Sequence, residues 1–492
     1  MLLPFIFLFA SAGTSSPDVD TSLKQFTEVL AAVEARAADP VNVESAIFDG
    51  AIPSMLRELD PHSVFFNRDQ FQQLQEMEHS ESKGFGTIVS VLPGRVIVLQ
   101  AMPGTPSARA GLSPGDEIVA VNNVALAALS FEQLVPFLTE SKQKEAHLIV
   151  RRQGSARFLE FTLKPELMDS PTVERAFRLQ PGIGYIRVGS FDPKTAAELK
   201  QAIEKLGGTK LNGLVLDLRN NAGGVVGTAL ETASFFLKPG QEILTARGRG
   251  VPPQTVNVPA KAEPYGFKVV VLVNGKTASA AEIVSGALQD HDRAIVIGEP
   301  TYGKGLVQSI FPLAGSTALA LTTSFYYTPS GRSIQRPLRV GQLGDIAAHR
   351  TYKTDAGRSV IGGGGIAPDE IVLPNQPSRL RAVLEASGVI TNFATEYIRD
   401  HRVAADFTVT PELLDQFQLY AEERQISPSA AEWSGERDWL QQQLRAEIVT
   451  QTLGVEKGDE LELAVDPVVK AALEALASEL RVSRQGDSQR IQ

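Results

Sequence analysis

Five consecutive apolar residues, Val269-Val270-Val271-Leu272-Val273, constrain this chain more than any other stretch. Such a run reads as a buried strand. Asn274-Gly275-Lys276 then turns the backbone, and Thr277-Ala278-Ser279-Ala280-Ala281-Glu282 begins a helix whose apolar face carries Ile283, Val284, Ala287 and Leu288. Ser279 therefore stands where a strand hands over to a helix. Backbone N–H groups there are unpaired and the helix dipole is positive. A hydroxyl at that point could attack a carbonyl, with the helix start stabilising the oxyanion. Ser279 and Glu282 also spell a capping box, Ser-x-x-Glu, which needs no chemistry.

Twenty-five residues beyond Ser279, Lys304 lies between Gly303 and Gly305, and Gln308 follows four residues later. A serine hydroxyl is a poor nucleophile at neutral pH and needs a base in contact. Lysine is ordinarily protonated, with a pKa of about 10.4. Burial among apolar walls lowers that value, because desolvation disfavours the charged form. Positions i and i+4 share a face, so Gln308 can reach Lys304 and fix its direction. A neutral amide does so without raising the lysine pKa as a carboxylate would. His291, inside Asp290-His291-Asp292, is a rival base that would give a Ser-His-Asp set. It lies at the far end of the helix that Ser279 starts, roughly 18 Å away at 1.5 Å per residue. Lys276 is near in sequence but sits in an exposed-looking turn.

From Met168 the chain alternates strands and helices. Gly184–Val188 reads as a strand, Lys194–Lys205 as a helix and Leu214–Leu218 as a buried strand. The last of these runs into Asp217-Leu218-Arg219-Asn220-Asn221-Ala222-Gly223-Gly224, with a helix behind it. Neither G-x-G-x-x-G nor G-x-x-x-x-G-K-[ST] is present, which argues against a phosphate loop. Gly223 and Gly224 could instead bring N–H groups close to a reacting carbonyl. Ala294–Ile297, Val307–Phe311 and Ala318–Tyr327 continue the strands.

Residues 81–165 have a different pattern. Gly84-Phe85-Gly86 leads into alternating strands, followed by Gly115-Asp116-Glu117-Ile118, a helix at Phe131–Leu138 and two further strands. This resembles a PDZ domain, in which Gly84-Phe85-Gly86 would present N–H groups to a peptide's C-terminal carboxylate. Gly111-Leu112-Ser113-Pro114-Gly115 fits the G-x-S-x-G nucleophile motif, but Ser113 precedes a strand and not a helix, so it is assigned no catalysis. Residues 18–80 and 377–492 read as helical, with His62 in a loop and Val482–Gln492 frayed. Residues 1–17 read as a signal peptide, with an apolar run Leu2–Phe9 and an Ala10-Ser11-Ala12 cleavage site. That placement implies an exported protein, periplasmic or extracytoplasmic, either free or held at the membrane by that segment. No other segment is long and apolar enough to span a bilayer. A formal net charge of −10 argues against nucleic acid, and the absence of cysteine excludes thiol catalysis, disulfides and thiolate metal sites.

Taken together, the chain resembles the carboxyl-terminal processing peptidases, or tail-specific proteases. The matching stretches are Leu59–Ser63, the PDZ unit, Asp217–Gly224, Asn274–Asp290, Thr301–Gln308, Thr328–Gln335 and Gly365–Asp369. The resemblance implies a multidomain α/β protein. Its mixed α/β protease core of the crotonase/ClpP kind would span 168–376, with an inserted PDZ domain at 81–165 and helical regions at 18–80 and 377–492. It implies a serine endopeptidase without cofactor or metal, acting on proteins or peptides with a free C-terminus. The family's nucleophile falls on Ser279, its general base on Lys304 and the residue orienting that base on Gln308. Its oxyanion donors fall on the backbone of Ala280, Gly223 and Gly224. The place where members often carry Arg-Gly after the PDZ helix is occupied by Thr139-Glu140. The helical regions offer contacts for a homo-oligomer. A different class of function, an inert scaffold that binds chain ends through the PDZ groove, is the alternative that intact Ser279, Lys304 and Gln308 count against.

Overall fold

The computed structural model describes residues 17–78, 81–92, 95–102, 104–152, 155, 157–169, 171–250, 252–337, 350–373, 377–404 and 406–490. The leader read at 1–17 therefore lies, save Pro17, outside the described residues. The chain forms two compact units, one of residues 1–73 with 308–323 and the other of residues 74–307 with 324–492.

The larger unit is built on a six-stranded sheet. Its order is Val173–Gln180, Ile183–Val188, Gly213–Asp217, Lys268–Val273, Ala294–Gly298 and Glu370–Ile371. The first pair is antiparallel and every later pair is parallel. The apolar runs are continuous because both faces are covered. Leu214, Leu216, Val269, Val271 and Val273 meet the helices Thr195–Leu206, Val226–Ser234 and Ala280–Asp290 through Leu199, Ile203, Ala229, Ala233, Val284 and Leu288. Val215, Val270 and Leu272 meet the helix Pro467–Arg490 through Val469, Ala472 and Leu476. Each fully buried Val or Leu contributes about 1.5–3 kcal/mol, so both helical layers are needed. Gly213 keeps the second layer close: a Cβ there would stand 3.1 Å from the Leu476 side chain.

This changes the reading of the C-terminal region. Its last helix is a layer of the core, and it continues to Arg490 where the sequence suggested fraying from Val482. Burial of its first half nucleates a helix that no proline then interrupts. Ahead of it, Arg379–Ser387, Val389–Asp400, Pro411–Glu423 and Arg437–Leu453 enclose a separate core around Leu384, Phe393, Phe417 and Leu444.

An antiparallel sheet in the same unit has the order Thr87–Leu92, Arg95–Ala101, Glu117–Val121, Ala146–Arg151 and Leu159–Leu163. The helix Phe131–Ser141 contributes Leu134 to its core of Val96, Val98, Ile118, Leu148 and Val150. Thr87–Leu92 is an edge strand, free on one side to accept another. Ser113 sits in a turn whose N–H donates to Asp116, as a structural role requires.

In the smaller unit, helices at Pro17–Arg36 and Ile52–Leu59 precede a strand, Val64–Phe66, that pairs antiparallel with Ala318–Ala320. The first helix forms as its periodicity predicts, but Leu23, Phe26 and Val33 stay exposed. Asp60 caps the loop before the strand, accepting from His62 N–H (2.7 Å), Ser63 N–H (2.8 Å) and Ser63 Oγ (2.7 Å).

Candidate active site

Parallel strands release their loops at the same edge of the sheet, and Gly213–Asp217 and Lys268–Val273 are neighbours. The two turns that follow, 218–224 and 274–279, are thereby placed side by side. Thr277 Oγ1 donates to the Leu218 carbonyl at 2.8 Å, and Ala278 N–H donates to the Asn221 carbonyl at 2.9 Å. Asn274 and Asn220 join through a side-chain bond of 2.9 Å and a backbone-to-side-chain bond of 2.9 Å.

These bonds hold Ser279 at φ 54° and ψ −117°, just ahead of the helix Ala280–Asp290. A positive φ at a non-glycine residue costs about 1–3 kcal/mol and persists only where the surroundings impose it. Gly223 makes room for it: a Cβ there would lie 2.8 Å from Ser279 Cβ and 3.0 Å from Ala280 N. Gly223 itself has φ 98° and Gly224 φ 138°. The Gly223 N–H donates to Asn221 Oδ1 at 2.8 Å. That bond sets it apart from Gly224 and Ala280, whose N–H groups have no acceptor among the described residues. Gly223, Gly224 and Ala280, the residues to which the family resemblance assigns the oxyanion, thus lie beside Ser279, with their N–H groups not equivalent.

Glu282 joins the two halves of the site. Its carboxylate, fully buried, accepts from Ser279 N–H (2.8 Å), Thr301 Oγ1 (2.5 Å), Gly303 N–H (2.7 Å) and Lys304 N–H (2.9 Å). Burial pushes this carboxyl above the usual range, opposed by those four hydrogen bonds. Tyr326, from the strand Thr317–Tyr327, donates its hydroxyl to the carbonyls of Ser279 (3.0 Å) and Lys304 (2.5 Å). Lys304 is half-buried, and burial pulls its ammonium below the usual lysine value while the charge of Glu282 opposes the shift. The backbones of Ser279 and Lys304 are tied to each other through these shared partners.

Gln308 lies in the strand Leu306–Leu313, and its amide Nε2 donates to the His62 carbonyl at 2.6 Å. This bond ties Gln308 to the loop that Asp60 caps. His291 closes the far end of the Ser279 helix. Its Nδ1 meets Asp355 (2.7 Å) and its Nε2 meets the Glu242 carbonyl (2.7 Å), so its ring is engaged in structure there. Lys276 is exposed, as its turn suggested. At the PDZ unit, Gly84 and Gly86 are buried and Phe85 packs against the domain core, immediately before the edge strand. Gly84 ends a short strand paired with Glu166, Phe85 O accepts from Ser107 N–H and Gly86 O accepts from Met102 N–H. Sequence reasoning gave Glu282 only a capping role and passed over Tyr326. A carboxylate on an otherwise apolar helical turn was the available signal for the first, and strand alternation concealed the second. Among the described residues, no group of three His, Asp or Glu side chains could hold a metal ion.

Comparison with known proteins identifies the family and the PDZ domain. The profile of peptidase family S41 matches residues 182–348, and that of the PDZ domain matches residues 97–152. A family described only as of unknown function matches residues 381–454. A carboxy-terminal-processing protease of Bartonella bacilliformis is 35% identical over 298 residues, covering 59% of this chain and 68% of that protein. The carboxyl-terminal-processing peptidase 2, chloroplastic, of Arabidopsis thaliana is 33% identical over 334 residues, 64% of this chain and 63% of that protein. The carboxy-terminal processing protease CtpA of Bacillus subtilis is 28% identical over 362 residues, 71% of this chain and 76% of that protein.

Proposed function

Since this chain belongs to peptidase family S41 and is a serine peptidase of the carboxyl-terminal processing kind, we propose that it cleaves the tails of other proteins through a Ser279–Lys304 dyad. Neutral Lys304 takes the Ser279 proton as Oγ attacks the scissile carbonyl. The N–H groups of Ala280 and Gly224 receive the oxyanion. The tetrahedral intermediate collapses, Lys304 returns its proton to the leaving amine, and an acyl-enzyme remains. Water then enters, Lys304 takes its proton, and hydrolysis of the ester restores Ser279. Gln308, whose amide donates to the His62 carbonyl, takes the orienting role that the family resemblance gives it. The PDZ unit brings in the substrate by its free carboxylate and edge-strand pairing.

The observation that carries this reading is the shared carboxylate of Glu282, which fixes the N–H of the serine residue and the N–H of the lysine residue at once. The test is product analysis by mass spectrometry with a C-terminally tagged substrate. Ser279→Ala removes one hydroxyl and costs about 1 kcal/mol at most as a lost cap. The folded variant should yield no product; turnover at the parental rate refutes the assignment.

A further inference from the structure

The geometry points to Tyr326 as a positioning residue that sets the distance between the nucleophile and the base of the dyad. This rests on the Ser279–Lys304 reading above. Tyr326 is 2% exposed and lies in the main core. Its ring alone could be supplied by phenylalanine. A buried phenol hydroxyl needs polar partners, and the partners here are two backbone carbonyls from distant parts of the chain. One is that of Ser279 at 3.0 Å and the other that of Lys304 at 2.5 Å. A phenol has a single proton, so the hydroxyl is shared between them. The backbone of Tyr326 adds a third tie, its N–H donating to the Gly305 carbonyl at 3.0 Å.

The Ser279 carbonyl is also the first acceptor of its helix, taking the N–H groups of Glu282 (2.8 Å) and Ile283 (3.1 Å). Shifting it shifts the helix start that carries Ala280 N–H. Glu282 meanwhile holds the N–H groups of the same two residues. Ser279 and Lys304 are thus gripped on both sides of their peptide units, by a carboxylate that accepts and a phenol that donates. The phenol keeps its proton at the alkaline pH where a lysine base works, because burial and then the nearby charge of Glu282 raise its ionisation well above 10.

Tyr326→Phe removes the donor and keeps the ring. Small misplacement of reacting groups costs up to about a hundredfold in rate, so kcat should fall by roughly tenfold to a hundredfold. KM should stay within about twofold, because no substrate contact is lost. The acid limb of the kcat–pH profile should move to higher pH, because a loosened 301–304 loop admits water to Lys304 and desolvation is what lowers its pKa. The experiment measures kcat, KM and the pH profile of the full chain on a peptide with a free C-terminus. Rates are normalised to the folded fraction from near-ultraviolet circular dichroism. Tyr327→Phe is the control, since that ring lies under the Arg247 guanidinium at 4.5 Å and touches neither carbonyl. A fall in kcat per folded molecule with a displaced acid limb supports the inference. Unchanged kcat and limb, or a loss that only follows the folded fraction, overturns it. Ser279→Ala and Lys304→Arg run alongside: if both are dead while Tyr326→Phe behaves as wild type, only the role of Tyr326 falls. If either retains turnover, the dyad falls and this inference with it.

Discussion

Gly223→Ala probes the space in front of Ser279. At this position the backbone has φ 98°, so an L-residue pays about 1–3 kcal/mol in strain. The new methyl would stand 2.8 Å from the Ala278 carbonyl oxygen, 2.8 Å from Ser279 Cβ and 3.0 Å from Ala280 N. Optimal heavy-atom contacts are about 3.5–4.0 Å, and all three neighbours are backbone or the nucleophile itself. Relief therefore has to come from the turn or from Ser279. An oxyanion bound by Ala280 N–H would lie about 2.7–3.1 Å from that nitrogen, and a methyl 3.0 Å from the same atom crowds the approach to it. Losing one such donor costs about a hundredfold to a thousandfold in kcat. Cleavage of a tagged peptide, followed by chromatography, should show at least that loss in a protein that still melts cooperatively. Gly227→Ala, four residues on and with nothing within 4 Å of its Cβ, should stay active. A Gly223→Ala enzyme within about threefold of the parent would refute the placement of the oxyanion site.

The pH behaviour follows from Lys304. Burial holds its folded pKa below the ordinary lysine value, so between the two the unfolded chain binds more protons and stability rises with pH. Activity should rise over the same range as the base becomes neutral. Lys304→Arg cannot deprotonate and should be inactive at every pH; an acid limb near about 6.5 that disappears in His291→Ala would sink the lysine base. Amidating the C-terminus of a good substrate should raise KM or slow cleavage, because the Gly84–Gly86 loop precedes a free edge strand; identical kinetics for acid and amide would remove that role. Asp466→Asn should lower the urea midpoint of the core by the equivalent of about 1–3 kcal/mol. It weakens the 2.7 Å bond from Arg219 and the cap that Asp466 Oδ1 gives to Val468 and Val469 N–H. An unchanged midpoint would show that the last helix is held by apolar contact alone.

The central strands were legible because a sheet covered on both faces writes itself as unbroken apolar runs. Val269–Val273 could hardly be anything else, and the glycine pair at 223–224 marked the turn beside it. The covering of the second face was not legible. An amphipathic helix such as Pro467–Arg490 declares that one side is buried, but its sequence does not name what it is buried against. In sequence it therefore reads as one more helix of the 377–492 region. Ser279 and Lys304 stood out by residue type and spacing. Tyr326 did not, because a tyrosine inward on an alternating strand looks the same whether or not its hydroxyl has work beyond satisfying itself. Gln308 shows a further limit: no local spacing could announce its bond to His62, which depends on a loop 246 residues earlier.

The Ser-x-x-Glu signature left capping and catalysis as competing explanations, and the structure shows why they need not compete. Glu282 does accept the Ser279 N–H, as a capping box requires. An ordinary cap sits at the surface, where water supports the carboxylate. Here the carboxylate is fully buried, and its remaining bonds go to Thr301, Gly303 and Lys304. Burying a charge costs several kcal/mol, which charge-assisted bonds of about 1.5–3 kcal/mol each can offset only if all are made. A cap alone would supply one. The other three come from the loop that carries the lysine, so the folded state is favourable only when that loop is seated against the helix start. The same loop carries Lys304, whose ammonium burial pulls below the usual lysine value while the charge of Glu282 opposes the shift. The proposed dyad therefore depends on the seating of the 301–304 loop that the bonds to buried Glu282 enforce.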